Sequence, residues 1–209
     1  MESLEQRNLP ERVADHLLEQ LTSGEIKLGT RILEVPLSEK LGVARSTLRE
    51  GLRLLEARGV VIATPQKGST VRIYDLESIK TIYALRETTE LRACSLLFSR
   101  PEKVPPLIST LDPIIDSMGR YQGKSNPTLN RLDISFHTAL VDAAGEFALS
   151  SIWGAIKYHL AIIFSLEISD GSNFADDHRQ LVTALVAGEW GALETAYHLH
   201  IAKDRLDVE

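Results

Sequence analysis

The 209-residue chain holds a single cysteine, Cys94, so it cannot close a disulfide within itself. Set among Ala93, Leu96 and Leu97, that thiol reads as buried and inert, and its solitary state fits a reducing cytoplasm. No run of some 18 apolar residues is present, so no membrane span is expected. The opening MESLEQRNLPER is acidic and polar, unlike a secretory leader. Low-complexity tracts and internal repeats are also missing, and the composition, 44% hydrophobic and 25% charged, is ordinary for a globular chain. Positive charge is lacking overall: the formal net charge is −6.

That deficit is uneven. Residues 1–75 carry 11 Lys+Arg against 11 Asp+Glu, whereas residues 76–209 carry 12 against 18. Between 40 and 72 there are seven cations and two anions (Glu50, Glu56). The positive charge is therefore focused on one short stretch, and binding through it should be strongly salt-dependent. Within it lies LGVARSTLREGLRLLEARGVV, residues 41–61. Arg45, Arg49 and Arg53 fall four apart on one helical stripe, while Leu48, Leu52 and Leu55 can face a core. Arginines and hydroxyls at the start of a short helix suit phosphate oxygens and major-groove base edges. The context narrows the reading: Ser38 can cap a short preceding helix that stops at Gly42, and the arginine helix ends at Gly59. Two β-like runs, 60–64 and 69–73, then flank the turn PQKG at 65–68. Helix, glycine turn, arginine helix and basic-tipped hairpin is the order of a winged helix-turn-helix.

The spacing predicts an earlier helix over 10–23, with Val13, Leu17, Leu18 and Leu21 on its apolar face. Gly24 and Gly29 bracket a short connection carrying Arg31. Beyond Asp75 only helical periods appear, over 76–99, 104–121, 127–144, 146–168, 173–187 and 189–206. The expected fold is mainly α: an N-terminal winged helix-turn-helix over 1–75, then an all-α helical bundle over 76–209 with room for a pocket.

In that bundle LDISFHTAL places Asp133 and His137 four residues apart, where a carboxylate and an imidazole can converge on one ion or simply touch each other. His178 opens a later helix, and His198 and His200 lie in the last one. Two residues are about 200° apart on a helix, so these two cannot both point inward. His200 shares the 3, 4 spacing of Leu193 and Ala196 and is expected inside, with His198 in solvent. Imidazole-rich ligation suits Zn, Ni, or Mn/Fe-type ions rather than Ca. His16 reads as a surface residue and His159 as a satisfied core histidine.

Residues 23–61, SGEIKLGTRILEVPLSEKLGVARSTLREGLRLLEARGVV, followed by QKGSTV as a wing, resemble the GntR family of bacterial transcriptional regulators. The second half resembles its FadR-like branch with an FCD ligand-binding domain: D-I-S-F-H at 133–137, D-H at 177–178, and His200 a further 22 residues on. The resemblance implies operator contacts from Arg45, Ser46, Thr47 and Arg49, with Lys67 and Gly68 at the wing tip; Arg31 is counted with them. It implies a metal set of Asp133, His137, His178 and His200. LRETTELRA resembles the family's first FCD helix, so Arg86 either reaches a carboxylate effector or pairs with Glu90 four residues on. Ala44 departs from a common Ser/Thr, Val35-Pro36 from a basic residue found in some relatives. Gly51 replaces the usual Ala, at a helix-propensity cost of about 1 kcal/mol.

The resemblance thus implies a cytoplasmic homodimer on a palindromic double-stranded DNA operator, a repressor more often than an activator, answering a small carboxylic acid at a metal-containing pocket. Two alternatives stay open. The ion itself could be the effector, or an Asp/His₃ site could activate water as a hydrolase; no general base or nucleophile motif supports the latter, so no enzyme is expected.

Overall fold

Asn8 opens the first helix, α1 (Leu9–Thr22), with a capping box. Its side chain accepts from the Glu11 N–H at 3.1 Å, and the Glu11 carboxylate accepts from the Asn8 N–H at 3.2 Å. The computed structural model describes residues 8–64, 68–121, 126–166 and 174–204. The chain divides into two compact units, Met1–Asp75 and Leu76–Glu209.

In the first unit, α1 packs on α3 (Arg45–Ala57). The buried stripe Val13, Ala14, Leu17 and Leu21 faces a core that includes Leu48, Leu52 and Leu55. Gly51 sits at the crossing: a Cβ there would stand 2.8 Å from Val13 Cγ1 and 3.0 Å from the Pro10 carbonyl oxygen. An alanine here would have to displace one of these atoms, so the glycine goes with a close crossing of the two helices. Between α1 and α3 runs α2 (Glu34–Leu41), whose end is set by Gly42 in the left-handed region at φ 64°. Ser38 does not cap this helix, as the sequence suggested. The helix starts four residues earlier, behind Leu33, and Ser38 lies buried inside it, its hydroxyl donating to the Val35 carbonyl.

The wing is a three-stranded antiparallel sheet in the order β1-β3-β2. Strands β2 (Val61–Thr64) and β3 (Gly68–Val71) form the expected hairpin, in register from Val61↔Val71 to Thr64↔Gly68. The third strand, β1 (Arg31–Ile32), pairs Arg31 with Thr70 and was not foreseen; two residues are too few to show a period.

The second unit comprises, among the described residues, six α-helices. They are α4 (Leu76–Phe98), α5 (Val104–Met118), α6 (Pro127–Ala144), α7 (Phe147–Leu166), α8 (Phe174–Ala187) and α9 (Trp190–Asp204), with a 3₁₀ turn at Pro101–Lys103. Asn126 caps α6, accepting from the Thr128 and Leu129 N–H groups; Pro127 takes the first turn, where no N–H is needed. Gly145 ends it at φ 66°. α6 is central: it packs on α4, α5 and α7, while α9 lies against α4 and α8. α7 is long and apolar enough to cross a bilayer by length and composition alone, but Leu149, Trp153, Ile156, Leu160, Ile162, Ile163 and Phe164 are buried inside the unit. Fully burying one such side chain returns roughly 1.5–3 kcal/mol, whereas an unpaired buried charge costs several times more. Yet Arg86, Glu90, Asp133, His137, His178 and His200 all lie in this core.

Candidate metal centre and nucleic-acid interface

Three helices carry the four predicted donors. Asp133 and His137 are one turn apart on α6, His178 lies in the second turn of α8, and His200 is on α9. All four are buried, and one ligand atom from each lies within 4.8 Å of the others. His198, as periodicity suggested, is largely exposed, its Nδ1 2.6 Å from Glu87 Oε1. His16 is also half in solvent.

The ring nitrogens are not free to choose their protons. The Phe174 carbonyl lies 2.8 Å from His178 Nδ1 and can only accept, so the proton is on Nδ1. His178 Nε2 then presents a lone pair to Asp133 Oδ1 at 3.1 Å, a contact that needs a second proton or a cation between the two. Arg86 can only donate, and its Nη2 lies 2.8 Å from His137 Nε2 and 3.2 Å from His200 Nε2. Both of those nitrogens are therefore acceptors, and they stand 3.1 Å apart. His137 Nε2 is 3.6 Å from Asp133 Oδ1. Donors that share one transition ion at about 2.0–2.2 Å stand roughly 3–3.6 Å from one another, the range of these three donor pairs, and the whole set lies within 4.8 Å, so the group could hold one cation. Asp133 Oδ2, buried and without a hydrogen bond among the described residues, is a further acceptor 3.7 Å from Arg86 Nη2.

The electrostatics agree with a site made for positive charge. Burial would raise the Asp133 carboxyl, but His137 and Arg86 hold it well below the usual carboxylate range. Burial likewise opposes ionised Glu90, and His137 and Arg86 outweigh it. For His137, burial works against the charged ring, but Glu90 and Asp133 prevail and push its pKa up to about 9. A second proton and a metal thus compete for Nε2. His200 goes the other way: burial, then His178, His137 and Arg86, keep it neutral well below the ordinary histidine value.

Arg86 makes the second of the two contacts expected of it, the pairing with Glu90. Its Nε donates to Glu90 Oε1 at 3.0 Å, the pairing four residues on, while Nη2 reaches the histidines; its guanidinium lies 5.2 Å from the Phe164 ring centroid. Glu90 entered the sequence reading only as that partner. Its second oxygen, Oε2, is 2.5 Å from His137 Nδ1, a contact across 47 positions of sequence that no local period could reveal. The LRETTELRA motif was the available signal. Cys94 is buried, and burial pushes its thiol up to about 12.

In the first unit Arg45, Ser46 and Arg49 are exposed on the first two turns of α3, with Thr47 half-buried beside them. Ala44 supplies no side-chain cap, so the first-turn N–H groups of α3 are left for another acceptor. Arg49 Nε is 2.6 Å from Glu34 Oε2, and Arg53 pairs with Glu50 at 2.5 Å. Arg31 and Gly68 are exposed at the wing, Gly68 at φ 81°. Lys67 lies outside the described residues.

Residues 9–71 match the family of bacterial regulatory proteins named gntR, and residues 81–203 match the FCD domain. An HTH-type transcriptional regulator in an unstable DNA locus of Streptomyces ambofaciens is 28% identical, over 88% of this chain and 78% of its own length. The gluconate operon transcriptional repressor of Bacillus subtilis (strain 168) is 26% identical, over 83% and 74%. The solved structure of E. coli McbR/YncC has the same fold, with a TM-score of 0.73 and 18% identity over 95% of both chains. A winged helix-turn-helix presenting Arg45 and Arg49, followed by an FCD domain over more than half the chain, leaves one conclusion: the chain belongs to the GntR family and is a DNA-binding transcriptional regulator.

Proposed function

We propose that the protein is a cytoplasmic, homodimeric repressor whose grip on a palindromic operator is controlled by a small carboxylic acid. The observation that carries this reading is the convergence of four buried donors and one guanidinium. Asp133, His137, His178 and His200 would hold a divalent transition ion, of the Zn, Ni or Mn/Fe type. When bound, the ion supplies a Lewis-acidic point for a carboxylate or α-hydroxyl oxygen. Arg86 supplies the fixed second cation that orients such an acid, held in place by Glu90 and the Phe164 face. One relative's description, the repressor of a gluconate operon, names a sugar carboxylate of this class. Arg45, Ser46, Thr47 and Arg49 would contact the operator, with Arg31, Lys67 and Gly68 against phosphate or the minor groove. Effector binding and operator binding are then two linked equilibria, each changing the other by the same factor.

A thermal-shift screen against organic and sugar acids, with and without chelator, tests this. An acid at 100 times its dissociation constant adds about 2.7 kcal/mol, or roughly 5–10 °C for a chain of this size. Shifts that vanish with chelator support the reading; the absence of any acid-dependent shift counts against it. A second reading makes the ion itself the effector, supported by a donor set that is complete without any acid. In that case chelation alone changes operator affinity.

A further inference from the structure

We propose that Glu90 is the positioning residue of the metal centre: its carboxylate keeps the His137 proton on Nδ1 and thereby makes Nε2 a ligand. The inference rests on the reading of Asp133, His137, His178 and His200 as the ligand set. Glu90 sits on α4 one turn beyond Arg86, with no exposed surface. Its two oxygens are divided between two tasks. Oε1 accepts from Arg86 Nε at 3.0 Å, and Oε2 lies 2.5 Å from His137 Nδ1. Among the described residues neither Oε2 nor His137 Nδ1 has a hydrogen-bond partner elsewhere, which leaves each the 2.5 Å approach of the other.

The opposite edge of the ring gives an independent reading of the same proton. Arg86 Nη2, a donor only, meets His137 Nε2 at 2.8 Å, which requires a lone pair there and leaves the proton on Nδ1. One carboxylate thus holds both groups that bracket the imidazole: His137 directly, and the guanidinium aimed at its far nitrogen. His178 is fixed by a weaker device, a neutral carbonyl on its own helix, Phe174 O at 2.8 Å. A carboxylate partner makes its imidazole more electron-rich than a carbonyl does, so His137 is a stronger nitrogen donor than His178. A salt bridge serving Arg86 alone would need only Oε1. The approach of Oε2 to Nδ1 is the part such a role leaves unexplained.

Glu90→Gln is the sharpest variant, because it is isosteric and cannot serve both partners. Whichever way the amide turns, its NH₂ faces either Arg86 Nε or the His137 Nδ1 proton. Zn²⁺ and Co²⁺ affinities are measured by competition with a chromophoric chelator for the native protein, Glu90→Gln, Glu90→Leu and Asp133→Ala. Removing an outer-shell carboxylate typically weakens binding about 10–100-fold, and that range is expected for both Glu90 variants, with Asp133→Ala losing far more. In the Zn²⁺-loaded native protein the His137 Nδ1 proton should give a downfield, exchange-protected resonance, identified by its loss in His137→Gln and absent in Glu90→Leu. If Asp133→Ala binds like the native protein, the four-ligand reading falls, and this inference with it. If Asp133→Ala loses the ion while both Glu90 variants bind within about twofold of native, only the role of Glu90 is overturned. Should the Glu90 variants fail to fold, the native resonance decides: a His137 ring protonated on Nε2 and facing the ion through Nδ1 overturns the proposal.

Discussion

Gly51 shows how much one missing side chain can decide. Alanine is the better helix former by about 1 kcal/mol, but its methyl would press on Val13 and on the Pro10 carbonyl, which belongs to backbone and cannot swing away. Gly51→Ala should therefore lower stability, by roughly 1–3 kcal/mol, in a urea or thermal melt; an increase would mean that α1 gives way freely. The two coupled histidines set a pH signature for the chelator-treated protein. His137, raised to about 9 when folded, stabilises fully below the unfolded value near 6.5, and that contribution is lost as pH rises towards 9. His200 is depressed when folded, so it costs nothing above 6.5 and destabilises increasingly as pH falls below it. Arg86 and Asp133 act on both rings, Glu90 adds to the rise at His137, and His178 adds to the fall at His200. The unfolding free energy should peak near pH 6.5, and His137→Gln should flatten its alkaline limb. A curve still rising from pH 6.5 to 9 would contradict the assignment.

Among the elements, α3 presents its arginines under different restraint. Arg49 is tied to Glu34 of α2, whereas Arg45 makes no ion pair among the described residues. Arg45→Ala plus Arg49→Ala should cost operator affinity at least tenfold in fluorescence anisotropy, since each good base contact is worth about 1–3 kcal/mol. Unchanged affinity would mean that another element reads the DNA. These elements were largely legible in advance because helices announce themselves by period. The α6 span agrees at both ends, bounded by a proline and a glycine, and His200 was separated from His198 by angle alone. What stayed hidden was non-local. β1 exists only because β3 offers it hydrogen bonds, Ser38 was hidden by a helix starting four residues sooner, and Glu90 acquires its second contact only when α4 meets α6. One helix end was overrun: 104–121 closes at Met118, in front of Gly119, while the last two positions expected in 146–168 lie outside the described residues.

For the whole molecule, the division of charge is the governing fact: the acidic excess of −6 lies entirely beyond residue 75. Operator affinity should fall linearly with the logarithm of salt, with a slope of about −0.9 for each phosphate neutralised, and Arg45→Ala should lose affinity without losing that linearity. A salt-independent affinity would remove the electrostatic account. The core also carries its own lamp. Trp153 is buried, donates from Nε1 to Thr138 Oγ1 at 2.8 Å, and lies with its ring centroid 6.3 Å from that of His137, whereas the chain's other tryptophan, Trp190, stands partly in solvent against Phe98. The two indoles therefore differ in emission colour, and a paramagnetic ion beside His137 would dim the bluer one first. If the proposed centre takes up such an ion, its loading should be visible in unlabelled protein, at the moment it happens, by light alone.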